Sequence, residues 1–257
     1  MPTALVGETH IPRDFKRYAR QYSFLEIDCE PGTVPGKPRL QSCRAQAPEE
    51  FVFSLVLPSS LASLASGEGA EHLWKGAKSA AQILRPRWWV VRTPPSVRPT
   101  RKAREDLARL FDRLRAAEVR IAWEPHGLWE DAAASETAAA LGVHLVQDIA
   151  QQAPVPAPVL YARLLAFGRQ ARVGLGLAER VAERIRDFPE AFVAVEGHGA
   201  GTIARALGMA VEADPSELES EEAERESDES DESDESDESD ESDESESASG
   251  ESEHEEA

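Results

Sequence analysis

Short apolar runs alternate with segments of helical periodicity from the N-terminus to about residue 213, in the repeating order strand, helix, strand. This alternation constrains the fold more than any other feature, because strands joined by crossover helices pair in parallel through right-handed connections. The runs fall at 3–7, 23–28, 51–57, 87–92, 119–124, 143–148, 158–164 and 190–196. Eight such units are the number that closes a barrel. The fold expected is therefore α/β, a (β/α)8 TIM-type barrel that is short for its kind, with an open doubly wound sheet as the alternative.

The intervening helices carry single buried stripes. Leu107, Leu110, Phe111 and Leu114 recur at helical spacing within 100–117, and Thr100 is placed to cap that helix. Phe15, Tyr18, Ala19 and Tyr22 form a comparable stripe, as do Leu177, Val181, Ile185 and Phe188, and then Ile203, Leu207 and Val211. Weaker helices fit 68–84 and 131–141. The irregular point is 29–50, where four prolines and two glycines stand in place of a crossover helix and a short helix fits only near Arg39–Gln46.

Charge divides the chain in two. Residues 214–257 hold 24 of the 48 acidic side chains but only Arg225 of the 28 basic ones, so the net −20 belongs to this segment and residues 1–213 are near +3. Six consecutive Ser-Asp-Glu triplets run from Ser227 to Glu244, and Leu218 is the only large aliphatic residue of the segment. Such a sequence cannot offset its ordering entropy, so a disordered acidic tail is expected after a barrel domain spanning 1–213. The tail could attract a basic protein partner or add only solubility, and its serines suit an acidophilic kinase. The near-neutral domain makes no demand for nucleic acid.

Cys29 and Cys43 show no metal-ligand spacing, no N-terminal leader pattern is present, and no run approaches the roughly 18 apolar residues of a membrane span. A cytoplasmic protein with reduced thiols is expected, with no metal site and no cofactor identified.

Strand parity locates candidate chemistry. Leu25 and Ile27 should face the helices, which turns Glu26 and Asp28 toward the barrel axis at the C-terminal end of their strand, where barrel enzymes build their sites. By the same reading Glu124 turns inward on the fifth strand, and His144 and Asp148 on the sixth. Arg92 and Arg163 end the fourth and seventh strands, His126 follows the fifth, and Glu196 and His198 bracket the end of the eighth. Carboxylates gathered in one mouth need protons, a cation or neighbouring Arg and His side chains to stay there. Glu124 and Asp148 are the candidate acid/base pair, with Glu26, Asp28, Arg92, His126, Arg163 and His198 as candidate ligand-binding groups and Arg163 placed to hold an anion. The competing reading is that these are solvated loop residues and interior ion pairs. The segment Gly197–Thr202, GHGAGT, could cradle a phosphate, but tight-turn geometry explains its glycines better. Trp88 and Trp89 alternate across a strand and read as core.

The strand-end segments LEID, PEEFVFSLVLP, VVRTPPS, IAWEPHGLW, VHLVQD and LYARL, in that order, resemble the YecE-like family, a domain of unknown function. The resemblance covers nearly all of 1–213 and implies a TIM-type barrel without implying an activity. Glu26, Glu124, Asp148 and Arg163 match the family pattern, whereas Asp28 falls at a usual asparagine and His126 at a usual arginine. Val56 replaces a lysine, Arg92 a glutamine and Gly197-His198 a paired asparagine, and an aromatic pair expected soon after Asp28 is missing. The resemblance thus implies an altered pocket. Two functions stay open: a small-molecule binder or acid/base enzyme working at the barrel mouth, and a degenerate barrel serving as a scaffold for an interacting tail.

If the tail contributes nothing to the fold, deleting residues 214–257 will leave the thermal midpoint within about 2 °C of the full chain. The same deletion will abolish retention on an anion-exchange column. A large drop in midpoint would contradict this division.

Overall fold

The computed structural model describes residues 3–30, 35–63, 70–115, 119–164, 173–197 and 199–211. The chain divides into two compact units, Met1–Asp214 and Pro215–Ala257, and the description concerns the first; the expected acidic tail and His198 lie outside the described residues.

The eight strands are β1 (Thr3–Glu8), β2 (Phe24–Asp28), β3 (Val52–Val56), β4 (Trp88–Thr93), β5 (Arg120–Pro125), β6 (His144–Gln147), β7 (Val159–Leu164) and β8 (Glu190–Val195). The helices are α1 (Phe15–Gln21), α2 (Lys37–Gln46), α3 (Ser59–Ala62), α4 (Ala70–Leu84), α5 (Arg101–Arg115), α6 (Asp131–Ala140), α7 (Leu175–Arg186) and α8 (Ala200–Ala206). All strand pairs are parallel, and the sheet order β1-β8-β7-β6-β5-β4-β3-β2 puts the first strand against the last. That pairing is a barrel's and excludes the open doubly wound sheet, in which the first strand is central. α2 starts two residues before the expected 39–46 because Pro38 fits the first helical turn, where its missing N–H costs nothing. Thr100 does cap α5, its hydroxyl accepting from Ala103 N at 3.2 Å.

The core has two layers. Leu25, Phe53, Trp89 and Trp123 pack outward against the helices, meeting side chains such as Phe15 and Phe111. Phe24, Trp88, Tyr161 and Phe192 fill the barrel axis with small neighbours such as Ala122 and Ala194. At the N-terminal end Glu190 reaches Arg87 at 2.6 Å and Arg120 at 2.5 Å, while the two guanidinium groups sit over Phe192 and Trp88 at 5.3 and 5.5 Å. This floor seals one end of the axis and leaves the C-terminal end as the open one. His144 packs edge-on to Trp88 at 5.0 Å, and burial, with Arg120 nearby, holds its pKa below the ordinary value against the opposing pull of Glu190.

One seam of the barrel lacks a ladder: β1 and β2 are the two ends of the sheet order. The Tyr18 hydroxyl spans it, accepting from Glu8 N at 2.8 Å and donating to Phe24 O at 2.7 Å. Gly7 permits the approach, since a Cβ there would fall 2.0 Å from Phe24 O and 2.7 Å from the Tyr18 hydroxyl. Burial, then the Glu8 carboxylate, push the Tyr18 phenol well above its ordinary pKa, so it remains a donor. Among the described residues no helix is long and apolar enough to cross a membrane.

Tyr18→Phe orphans both backbone partners of the seam and should cost about 1–3 kcal/mol in denaturant unfolding. Gly7→Ala, which forces the strands apart, should cost more than Tyr18→Phe. Wild-type stability in both variants would show that the seam is held by other means.

Candidate functional site

Strand parity places three charged side chains at the C-terminal end of the axis: Glu26 from β2, Glu124 from β5 and Arg163 from β7. Arg163 Nε donates to Glu26 Oε1 at 2.9 Å, its Nη2 lies 2.9 Å from the same oxygen, and its Nη1 donates to Glu124 Oε2. Tyr161, two residues earlier on the same face of β7, donates to Glu26 Oε2 at 2.8 Å. That leaves Ser54 to donate to Tyr161, the two oxygens being 2.6 Å apart. Glu26 and Arg163 are only 1% and 6% exposed, so each depends on the others for the solvation it has lost.

Two further groups close on Glu124 from the rim. Arg92 Nε lies 3.1 Å from Glu124 Oε2, and His126 Nε2 lies 3.3 Å from Glu124 Oε1. Neither contact has good hydrogen-bond alignment, so Arg92 acts on Glu124 chiefly through its charge and His126 as a close polar neighbour. Burial by itself would raise the Glu124 carboxyl, but His126, Arg163 and Arg92 overcome it and hold the pKa down at about 2. For Arg163 burial works against the charge, and Glu26 and Glu124 reverse that and raise its pKa above the ordinary value. Burial, followed by the Glu26 carboxylate, raises the Tyr161 phenol well above its ordinary value.

Above this network lies a cavity of about 430 Å³ walled by Glu26, Asp28, Arg92, Arg163 and Glu196, with Thr9–Ile11 from the loop after β1. Pro35 stands on its wall, so the described part of the irregular 29–50 segment borders the cavity. Asp28 Oδ1 accepts from Glu30 N at 2.9 Å. Among the described residues, Asp28 Oδ2, the Glu196 carboxylate and the terminal nitrogens of Arg92 have no hydrogen-bond partner.

The structure brings together Glu26, Asp28, Glu124, Arg92, His126 and Arg163, but not Asp148. Asp148 Oδ1 accepts from Ala150 N at 3.0 Å and its Oδ2 from Gln151 Nε2 at 2.7 Å, so it ties its own turn instead of facing the cavity. Arg163 turns its three nitrogens toward Glu26 and Glu124 while still lining the cavity, so those two carboxylates compete for it with any external anion. The glycines after β8 serve turn geometry: Gly197 has φ +75°, and a Cβ on Gly199 would fall 2.2 Å from Val173 Cγ2. Ser54 and Tyr161 were missed by sequence reasoning, although both share the inward parity of Glu26 and Arg163. Thr9, His10 and Pro35 carried no signal, because loops have no period. Among the described residues no group of three or more His, Cys, Asp or Glu side chains could hold a metal ion.

Because the folded Glu124 pKa of about 2 lies below its ordinary 4.5, this carboxylate contributes stability that is fully present above about pH 4.5 and is lost as pH falls toward 2. The stability difference between wild type and Glu124→Gln should therefore shrink over that window, by an amount on the order of 3 kcal/mol. Chemical denaturation at several pH values checks this, and a pH-independent difference would contradict it.

The family model for Protein of unknown function DUF72 matches residues 7–223. Among solved structures, the chain is similar to a DUF72 family protein from Enterococcus faecalis V583, at 16% identity and TM-score 0.58 over 82% of this chain and 99% of that one. It is also similar to a DUF72 family protein from Thermotoga maritima MSB8, at 17% identity and TM-score 0.56 over 79% and 96%. A xylose isomerase domain containing protein from Salmonella typhimurium LT2 shares 11% identity and TM-score 0.50 over 83% and 90%. At these identities the likeness shows a shared fold. No curated protein matches the sequence. The match across most of the chain makes this protein a member of the DUF72 family, the YecE-like family of TIM-type barrels to which no specific activity is assigned.

Proposed function

We propose that the barrel mouth binds a small polar molecule that presents both hydrogen-bond donors and acceptors. The observation that carries this reading is the division of labour among the charges. Glu26, Glu124 and Arg163 pair with one another, while among the described residues Asp28 Oδ2, the Glu196 carboxylate and the outer nitrogens of Arg92 are left without a hydrogen-bond partner around a cavity of about 430 Å³. That volume is within the range of small-ligand sites. A polar rim over a base whose charges are held in place by one another is preorganised for binding.

The same geometry supports binding more than proton transfer by Glu124. A carboxyl held at about pKa 2 is a weak base near neutral pH, where an efficient acid/base group titrates close to the working pH. Asp148, the other candidate for that role, is spent on its own turn. Two unpaired buried cysteines fit a reducing compartment, which supports a cytoplasmic location. The acidic tail carries enough negative charge to attract a basic partner.

Titration of the full chain with glycerol or glycine, followed by amide NMR, should move resonances of residues 9–11, 26–28, 92–93 and 196–197 in preference to others. Asp28→Asn should weaken that binding by roughly tenfold with little change in thermal midpoint, as expected for loss of one charged hydrogen bond. If neither probe perturbs the mouth, the reading fails.

A further inference from the structure

The mouth has a second chamber of different character. A cavity of about 320 Å³ adjoins the first, and Asp28, Val56 and Arg92 line both. Beyond that shared wall the first chamber meets the carboxylates of Glu26 and Glu196, whereas the second runs over Leu57, Pro94 and Pro95, with His126 at its side and the Glu30 carboxylate, which accepts from Ser59 N, at its edge. The apolar wall is fixed in place. Val97 N donates to Pro94 O at 2.9 Å, which closes the turn, and Trp129 Nε1 donates to Val97 O at 2.7 Å. Gly127, at φ +86°, packs so closely that a Cβ there would lie 2.7 Å from Pro95 Cα. A loop clamped on both sides offers its apolar surface without an ordering cost on binding.

The charges on the shared wall define the head group. A plain anion drawn to Arg92 would also meet the Asp28, Glu26 and Glu196 carboxylates, and a plain cation would meet Arg92 and Arg163. A head carrying both signs avoids either repulsion, with an anionic oxygen pair matching the guanidinium fork and an ammonium matching Asp28. We propose that the ligand is a small zwitterion with an apolar arm, of the α-amino acid class. Its carboxylate lies on Arg92, its ammonium on Asp28 with Glu196 beyond, and its side chain along Pro94–Pro95. This inference rests on the reading of the mouth as a small-molecule site and adds the class of molecule to it.

The test is titration of the full chain, by calorimetry and amide NMR, with L-phenylalanine, glycine, 3-phenylpropanoate and 2-phenylethylamine. Phenylalanine should bind at least about tenfold more tightly than glycine, the gain from burying about 60 Å² of apolar surface. It should also exceed 3-phenylpropanoate and 2-phenylethylamine, each of which lacks one charge of the head. Replacing both Pro94→Ser and Pro95→Ser should erase the advantage of phenylalanine over glycine while leaving glycine binding intact. Pro95→Ser alone, at an exposed position, gives the same comparison if the double variant does not fold. Equal affinity for phenylalanine and glycine, with the mouth resonances still moving, would overturn the apolar arm and leave the site itself standing. Equal affinity for 3-phenylpropanoate or 2-phenylethylamine would overturn the zwitterionic head. Failure of all four probes to touch the mouth would overturn both this inference and the site reading beneath it.

Discussion

A guanidinium clasped between two carboxylates sets the chemistry of this barrel. Arg163 and Glu26 are almost wholly shielded from water, and removing such ions from solvent costs several kcal/mol each unless close partners repay it. Glu124 supplies the second partner, Tyr161 and Ser54 supply hydroxyl donors behind Glu26, and Arg92 and His126 brace Glu124 from the rim. The members come from β2, β3, β4, β5 and β7 and from the loop after β5, so the network can form only in a barrel whose strands are in this register. Between the aromatic packing of the axis and the open mouth it forms a charged layer that is neutral within itself.

That internal neutrality gives the mouth its character. Arg163 is already paired with Glu26 and Glu124, so the groups with the most capacity left for a ligand are Asp28, Glu196 and the outer part of Arg92. The Arg87–Glu190–Arg120 floor closes the opposite end, and the Tyr18 hydroxyl closes the one seam that has no ladder. Both devices let the open end carry unsatisfied polar groups without loosening the barrel. The position of the site at the C-terminal ends of the strands is that of barrel proteins in general.

Much of this was legible in the chain because barrels obey two periods. Period-two parity put Glu26, Asp28 and Glu124 inward, the end of the seventh strand put Arg163 near them, and 3.6-residue stripes put Leu107, Phe111 and their neighbours on the buried faces of helices. The same parity contained Ser54 and Tyr161, but a serine and a tyrosine among apolar residues read as packing until their partners across the axis are known. Asp148 shows the opposite failure. It has the inward parity, but β6 ends at Gln147 and the chain turns at once, so the carboxylate caps the turn instead of reaching the mouth. The seam role of Tyr18 was hidden because its ring belongs to an apolar helical stripe and only its hydroxyl does the bridging. Contributions from Thr9, His10 and Pro35 depend on loop paths that no sequence period encodes.

The dependence of the mouth on the buried clasp is tested most directly by a double-mutant cycle between Glu26→Gln and Arg163→Met, measured by equilibrium denaturation at neutral pH. Each single substitution leaves a buried charge with a lost partner and should cost about 3–5 kcal/mol. The double variant should cost less than the sum of the two by at least about 1–2 kcal/mol, because the orphaned charge is gone. Additive costs, or single variants as stable as wild type, would contradict the account.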